Sequence, residues 1–287
     1  LAWKIGYPEE WRDYSTLTIR RGSHFENAVA ARGFEASRLL AQVGKPVDRK
    51  EWGMNAQTVN ASYNPLQNAF TYPAGILQPP FFHKDFPVAM NLGGMGFVIG
   101  HELTHGFDDQ GSKFDSLGSM TDWWTPASVK GFEERTACID QQYSAYEIEP
   151  GVKVNGKLTL GENIADNGGL KQAWDVLQSR QKERGEGPTV AGLTEDQLFF
   201  VAAAQVWCAE ATKEAERLQV QTDPHSPSKF RVQGPMVNHP GFAGAFSCQP
   251  GTPMNPANDC AVWGGPATRR LWSFSGHPPS SRSIRWA

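Results

Sequence analysis

The sequence predicts a mainly α-helical protein with a small β element. Three segments, residues 91–107, 159–179 and 194–218, carry apolar residues at steps of three and four, the period of an amphipathic helix. A fourth segment, residues 57–72, has β-branched and aromatic residues on both sides of a turn-forming Asn-Pro pair. Helices therefore supply most of the predicted fold, and the predicted β structure is short.

The first part of the chain is predicted to contain one helix, one extended stretch and one loop. Residues 25–44 have helical spacing and end at Gly44, and Pro46 follows as a stop signal. Residues 57–72 are predicted to be extended or to form a hairpin. The proline-containing residues 73–82 are predicted to be a rigid loop.

Three longer helices follow. The first, residues 91–107, is predicted to be mostly buried, since five large apolar residues recur on it at helical steps: Leu92, Met95, Val98, Ile99 and Leu103. The second covers residues 159–179. The third covers residues 194–218 and begins at Thr194, a residue suited to capping a helix N-terminus.

The composition changes towards the C-terminus. After Asp223 the chain is rich in proline, glycine and asparagine. Residues 264–287 contain four arginines, no acidic residue and many serines and prolines. This basic stretch is predicted to be a disordered tail.

The overall composition excludes some classes of partner. The chain has 287 residues and a formal net charge of −3, so it offers no basic field for nucleic acid or anionic lipid. Its longest strongly apolar stretches, residues 93–100 and 198–208, are shorter than the ~20 residues that cross a bilayer. We therefore expect no nucleic-acid partner and no transmembrane segment in this chain, and because it begins with Leu1, we expect a targeting segment upstream.

A histidine pair four residues apart predicts a metal site. His101 and His105 share one face of a helix, with Glu102 between them in the sequence HELTH. Two imidazoles on one face suit a zinc ion that keeps an open position, and Glu102 can deprotonate a water there. The alternative is a chance coincidence of polar residues on an ordinary helix. A zinc enzyme also requires a third protein ligand.

A carboxylate pair on the next predicted helix offers that ligand. Glu162 and Asp166 are four residues apart, so both side chains would lie on one face. One carboxylate can bind the metal, and the other can accept a hydrogen bond from a metal-bound imidazole. Taken alone, the pair has a simpler explanation, because helix N-termini favour acidic residues.

Several motifs together resemble the neprilysin and endothelin-converting-enzyme family of zinc metallopeptidases, in the family's order. They are VNASYNP (59–65), GHELTHGFDDQG (100–111), GENIADNGGL (161–170), LFFVAAAQVWC (198–208), TDPHSP (222–227) and CAVW (260–263). The match covers most of residues 51–263. The resemblance implies that this range is a catalytic domain with the thermolysin-like (gluzincin) fold. It also implies that residues 1–50 are a helical segment continuing from an N-terminal half that this sequence lacks.

The resemblance assigns roles to the residues of the predicted metal site. It implies one zinc ion per chain, bound by His101, His105 and Glu162. Glu102 is then the general base and later the proton shuttle, and Asp166 orients a ligand histidine. Asp108 is a weaker candidate for such an orienting role.

A donor to the substrate oxyanion is also implied. The resemblance places His225 in this role, with Asp223 nearby. Without the motif match, a histidine between prolines is more often an ordinary loop residue.

Substrate-binding residues follow from the same resemblance. Asn60 and Ala61 correspond to a segment that pairs with an extended peptide, and Arg231 to an arginine that holds a substrate carbonyl. The sequence Asn-Ala-Ser at 60–62 is formally a glycosylation site, but a glycan there would block the cleft. The apolar pocket for the residue after the cleaved bond is expected from six residues: Ile76, Phe81, Phe97, Val98, Val206 and Trp207.

The four cysteines are widely spaced and form no C-x-x-C pair, so disulfides or buried thiols remain open from the sequence alone. The resemblance implies that Cys138 pairs with Cys260. It implies that Cys208 and Cys248 pair with cysteines of the absent N-terminal half. We therefore expect an extracellular location or the ectodomain of a membrane-anchored protein.

Two functional hypotheses follow. The first is a zinc-dependent endopeptidase that cleaves short peptides on the amino side of large hydrophobic residues. The second is a catalytically silent fragment or a peptide-binding protein, because the N-terminal domain that would close over the cleft is absent from this sequence. Zinc-dependent peptide cleavage by this chain distinguishes the two.

Overall fold

A computed structural model describes residues 1–263, in which helices outweigh short strands. The helices are α1 (His24–Leu40), α2 (Val88–Asn91), α3 (Phe97–His105), α4 (Pro126–Ser144), α5 (Leu160–Arg184), α6 (Glu195–Gln205), α7 (Lys213–Thr222), α8 (Ser228–Val237) and α9 (Pro240–Ala245). The strands are β1 (Ala2–Gly6), β2 (Ser62–Asn64), β3 (Ala69–Pro73), β4 (Glu147–Glu149) and β5 (Val152–Lys153). The mainly helical class with a small β element is confirmed. The tail predicted for residues 264–287 lies outside the described residues.

A three-stranded sheet borders the helices in the order β1-β3-β2. Strands β2 and β3 form the antiparallel hairpin predicted within residues 57–72, and β1 runs parallel to β3. Strand β1 was not predicted from the sequence, and its exposure pattern is the reverse of that expected for an amphipathic strand. Lys4 is its buried residue and donates hydrogen bonds to the backbone of Glu51 and the side chain of Gln67, whereas Trp3 and Ile5 are exposed. The division predicted at residue 50 stays a prediction.

The predicted helix over residues 91–107 is present but irregular. It begins at Val88 and continues through a π-helical stretch, Leu92–Gly96, into α3. Most of its residues are buried as predicted, but Ile99 is 38% exposed. Helix α3 packs against α5, and the largest described core gathers around them with Phe70, Phe97, Leu170 and Phe199 among its members.

The prediction of a single helix over residues 194–218 is wrong, because the structure has two helices there. Thr194 caps α6 as predicted, by accepting a hydrogen bond from the backbone of Gln197, but α6 ends at Gln205. A second helix, α7, begins only after Thr212, which caps it. We attribute the break to tertiary packing, which can override helical periodicity, because Trp207, just beyond the end of α6, packs edge-on against Phe97.

Helices α4, α8 and α9 were not predicted. Helix α4 packs against α5 and α8, and α9 packs against α6 and α8. Helix α8 includes Pro235 in its interior. The predicted disulfide between Cys138 of α4 and Cys260 is confirmed, and it ties the end of the described chain to a second core with Ile139 and Tyr143. Cys208 and Cys248 carry no disulfide to another described residue. Among residues 1–263, no helix is long and apolar enough to cross a membrane.

Candidate active site

Three potential ligand side chains converge where α3 meets α5. The Nε2 atoms of His101 and His105 are 2.9 Å apart. The carboxylate of Glu162 lies 3.3 Å from the Nε2 atom of His101 and 3.5 Å from that of His105. The ligand atoms of the three residues all lie within 4.8 Å of one another. The structure thus brings together the three predicted ligands from two helices.

This donor set fits zinc. Zinc in a tetrahedral site lies roughly 2.0–2.1 Å from imidazole nitrogen and carboxylate oxygen, so neighbouring donors are roughly 3.3 Å apart. The three observed separations bracket that value. Two imidazoles and one carboxylate also leave the fourth position open, as catalytic zinc sites require.

The Nδ1 atom of each histidine lies within hydrogen-bond distance of a carboxylate. The Nδ1 atom of His101 lies 2.9 Å from Asp166, which is fully buried on α5. The Nδ1 atom of His105 lies 2.6 Å from Asp108, which also accepts hydrogen bonds from the backbone N–H groups of Gln110 and Gly111. These contacts fix both rings so that Nε2 faces the ligand position. Asp108, the weaker candidate from sequence, therefore has the same geometry as Asp166.

Interactions within the site shift the pKa values of His101 and Glu162 in the absence of metal. Burial lowers the pKa of His101, but hydrogen bonds with Asp166 and Glu162 outweigh it and raise that pKa to about 10. Burial raises the pKa of Glu162, but hydrogen bonds with His101 and His225 reverse the shift and hold it well below its usual range. The metal-free site therefore carries a cationic His101 and an anionic Glu162 at neutral pH.

Zinc binding should therefore release a proton from His101 at neutral pH. The bound ring must be neutral, whereas the free ring is protonated below its pKa of about 10. This contribution makes zinc affinity rise about tenfold per pH unit through the neutral range, because one proton leaves for each ion bound. Calorimetric titration with zinc at pH 7, in buffers of different ionisation enthalpy, measures the proton count. Zinc affinity that does not change between pH 6 and 8 would contradict this expectation.

Glu102 is buried beside this cluster. Burial raises the pKa of its carboxyl group above the usual value, the charges of His101 and His105 oppose the shift, and its carboxylate accepts a hydrogen bond from the backbone of Tyr63. A bound dication would also oppose the shift. Glu102 is therefore a buried carboxylate that lines the cleft beside the potential metal ligands, the position that a general base requires.

Glycines bring α3 and α5 into backbone contact. A Cβ atom added to Gly169 would lie 2.6 Å from the backbone nitrogen of His101, and one added to Gly100 would lie 2.9 Å from the Cα atom of Gly169. A Cβ atom added to Gly168 would lie equally close to the side chain of Thr104. These glycines were not among the site residues predicted from the sequence. The adjacent glycines Gly168 and Gly169 were themselves a sequence signal. Two glycines inside a helix lower its stability, so their presence indicates that another backbone approaches the helix there.

His225 reaches the cluster from the loop between α7 and α8. Its Nε2 atom lies 3.2 Å from a carboxylate oxygen of Glu162, and its Nδ1 atom lies 2.7 Å from Asp223. The hydrogen bond with Glu162 raises the pKa of His225, and burial opposes this. The ring can thus present an N–H donor to the same point that the ligands surround.

Arg231 is buried at the back of the cleft. Its guanidinium group donates two hydrogen bonds of 2.8 Å to Asp166 and one of 3.2 Å to Glu162. It also stacks 3.9 Å above the ring of Trp207. Arg231 therefore holds the carboxylates of the site in addition to lining the cleft, where it was predicted.

The cleft has a volume of about 630 Å³ and is bordered by strand β2. Asn60 and Ala61 lie at its rim, immediately before that strand. Five of the six predicted pocket residues line it: Ile76, Phe81, Phe97, Val98 and Trp207. The structure does not bring Val206 to the cleft, because α6 ends there and the chain turns so that Trp207 borders the cleft instead.

Comparison with known proteins places this site in a family. The family model for peptidase family M13 matches residues 60–262, a range that contains all three potential metal ligands. The chain belongs to peptidase family M13. The resemblance drawn from the sequence motifs is thereby confirmed.

Relatives of this M13 chain include proteins from distant animals. Neprilysin-3 of Drosophila melanogaster is 46% identical over 270 residues, which cover 90% of this chain and 34% of that protein. Endothelin-converting enzyme 1 of Mus musculus is 46% identical over 268 residues, which cover 90% and 35%. The chain thus spans about a third of the length of these relatives.

A solved structure agrees with the M13 fold. The zinc metalloprotease Zmp1 of Mycobacterium tuberculosis, in complex with an inhibitor, superposes with a TM-score of 0.83 at 42% identity. The match covers 86% of this chain and 38% of that one. The predicted zinc-peptidase fold is confirmed over the part of the chain that this match covers.

Proposed function

We propose that this chain carries the zinc site and peptide cleft of an M13 endopeptidase that hydrolyses short peptides. The observation that carries the proposal is the convergence of His101, His105 and Glu162 beside the buried Glu102 in one cleft. Metal ligands, a base and an open cleft together favour metal-assisted hydrolysis. A purely structural zinc site would need neither the base nor the cleft.

Each side chain has a chemical task in this proposal. Zinc, when bound, polarises a carbonyl group and lowers the pKa of water. Glu102 takes the proton of the attacking water and passes it to the leaving amine. His225 donates a hydrogen bond to the oxyanion that develops on the scissile carbonyl. Asp166 and Asp108 keep the two histidine rings in the orientation that binds metal.

The edge of the sheet supports peptide binding. Strand β2 is at one edge of the three-stranded sheet and borders the cleft, so an extended peptide can pair with its backbone. Asn60 is exposed at this edge and can bond a peptide backbone through its amide. Arg231, which also lines the cleft, offers a donor for a substrate carbonyl.

The apolar wall of the cleft supports the preference for cleavage on the amino side of large hydrophobic residues. Phe97 and Trp207 meet edge to face at 6.2 Å, and Ile76, Phe81 and Val98 extend the same wall. Burying a large apolar side chain against such a wall contributes about 1.5–3 kcal/mol. A peptide with phenylalanine or leucine after the cleaved bond is therefore the proposed substrate class.

The disulfide supports an oxidising environment for the protein. Cys138 and Cys260 are joined in the structure, and such bonds persist mainly outside the cytosol. We infer an extracellular location or the ectodomain of a membrane-anchored protein.

The test is zinc content measured together with cleavage of a quenched fluorescent peptide that has an internal phenylalanine or leucine. We expect about one zinc ion per chain and cleavage that a chelator abolishes. Zinc binding without cleavage by the chain would instead favour the silent or peptide-binding alternative.

Glu162→Val should lose both zinc and cleavage. Valine removes one of the three protein ligands and supplies no donor atom in its place. The matched control is Glu183→Val, the same change at an exposed position on the same helix. Full zinc content in Glu162→Val, measured by atomic emission after dialysis, would refute the ligand assignment.

A further inference from the structure

Two consecutive residues of α5 face two consecutive residues of the loop between α7 and α8. Glu162 lies 3.2 Å from the Nε2 atom of His225 in the cleft. Directly behind them, Ser226 donates a hydrogen bond of 2.8 Å to the Oδ1 atom of Asn163. The first pair lines the cleft, and the second lies in the core.

The core pair belongs to a hydrogen-bond chain with a fixed direction. The hydroxyl group of Thr159 donates to the backbone carbonyl of Asn155 at 3.1 Å, so it can only accept from the amide nitrogen of Asn163, which lies 2.9 Å away. The Oδ1 atom of Asn163 must then face Ser226, which must donate. Thr159 and Asn163 are fully buried and Ser226 is 1% exposed, so water cannot replace a lost partner without opening the core.

The contacts of His225 within its own loop cannot set its distance from α5. Asp223 accepts hydrogen bonds from the ring and the backbone of His225, but it is two residues away and moves with the same loop. The His225 side chain itself is 45% exposed. The bond from Ser226 to Asn163, in contrast, connects the loop to the helix that carries Glu162.

We propose that Ser226 and Asn163 are positioning residues that set the distance between His225 and the metal ligand Glu162. The inference rests on the proposed function, because that distance determines how well His225 reaches the substrate oxyanion. An oxyanion donor acts on the transition state more than on bound substrate. Loss of the Ser226 hydroxyl should therefore lower kcat and leave KM nearly unchanged.

The first experiment compares Ser226→Ala with a matched control in the zinc-loaded 287-residue chain. We expect kcat to fall roughly tenfold, a part of the ~10²-fold that removal of an oxyanion donor costs, with KM changed by less than about twofold. The control is Ser144→Ala, whose hydroxyl also holds a loop, through the backbone N–H of Gly156, but away from the cleft. The control should keep the wild-type kcat.

A double-mutant cycle separates positioning from general destabilisation. If Ser226 acts through His225, then adding Ser226→Ala to His225→Ala should change kcat by less than about twofold. A further tenfold loss in that background would overturn the proposal, because a structural defect would act independently of His225.

Crystallography tests the positioning role of Ser226 without a measurement of peptide cleavage. We expect the separation of His225 Nε2 from the Glu162 carboxylate to lengthen in crystals of Ser226→Ala, with zinc content and the α5 backbone unchanged. An unchanged separation would overturn the proposal. A wild-type chain that binds zinc but cleaves no peptide would overturn the proposed function, and the crystallographic separation would still decide the inference.

Discussion

Replacing Glu102 with glutamine should leave the zinc content unchanged and lower kcat for peptide cleavage by roughly 10²–10⁴-fold, the contribution typical of a general base. Glutamine has nearly the same shape and can fill the same buried position. It cannot take a proton from water, however, and it is not one of the three residues whose ligand atoms converge. The loss should therefore appear in kcat and leave the metal in place.

The measurement is steady-state cleavage of the quenched peptide, with zinc determined on the same sample. Glu195→Gln is a matched control, because Glu195 is also a buried glutamate but bonds Arg184 and the backbone of Gly187 outside the cleft. That variant should lose stability and keep its kcat per folded molecule. Wild-type turnover by Glu102→Gln would refute the assignment of the base.

Replacing Gly169 with alanine should weaken zinc binding and destabilise the fold together. The added methyl group would lie 2.6 Å from the backbone nitrogen of His101 and 2.7 Å from the carbonyl oxygen of Phe97, so α5 must move away from α3. Such overpacking costs about 1–3 kcal/mol of stability. Because His101 is on α3 and Glu162 on α5, the same movement separates ligands, and we expect zinc affinity to fall roughly 10–100-fold, as when an outer partner of a ligand is lost.

Gly131→Ala provides the control for this prediction. Gly131 is inside α4, and a Cβ atom added there meets no atom within 4 Å. Alanine at such a position should stabilise the helix by about 0.4–1 kcal/mol. Thermal unfolding and competitive zinc titration of both variants give the comparison. Equal zinc affinity and equal stability in the two variants would contradict the close-contact explanation.

The sequence by itself determined the local part of the site. His101 and His105 share a face because the helix repeats every 3.6 residues, and this holds wherever the helix packs. The same argument places Glu162 and Asp166 on one face of α5, and the turn-forming residues predict the β2–β3 hairpin. Helical periodicity does not predict that the two helices meet. The resemblance of the motifs to the family supplied that prediction.

Only the tertiary structure decided how these local pieces meet. Glycine contacts allow α3 and α5, which carry the three potential ligands, to approach closely. Trp207 packs against Phe97 and Arg231 just beyond the end of α6, where the sequence predicted a continuous helix. The hydrogen bond between Ser226 and Asn163 joins residues 63 positions apart. Such contacts depend on the free energy of packing distant segments together, whereas helical spacing depends on the backbone geometry of a few neighbouring residues.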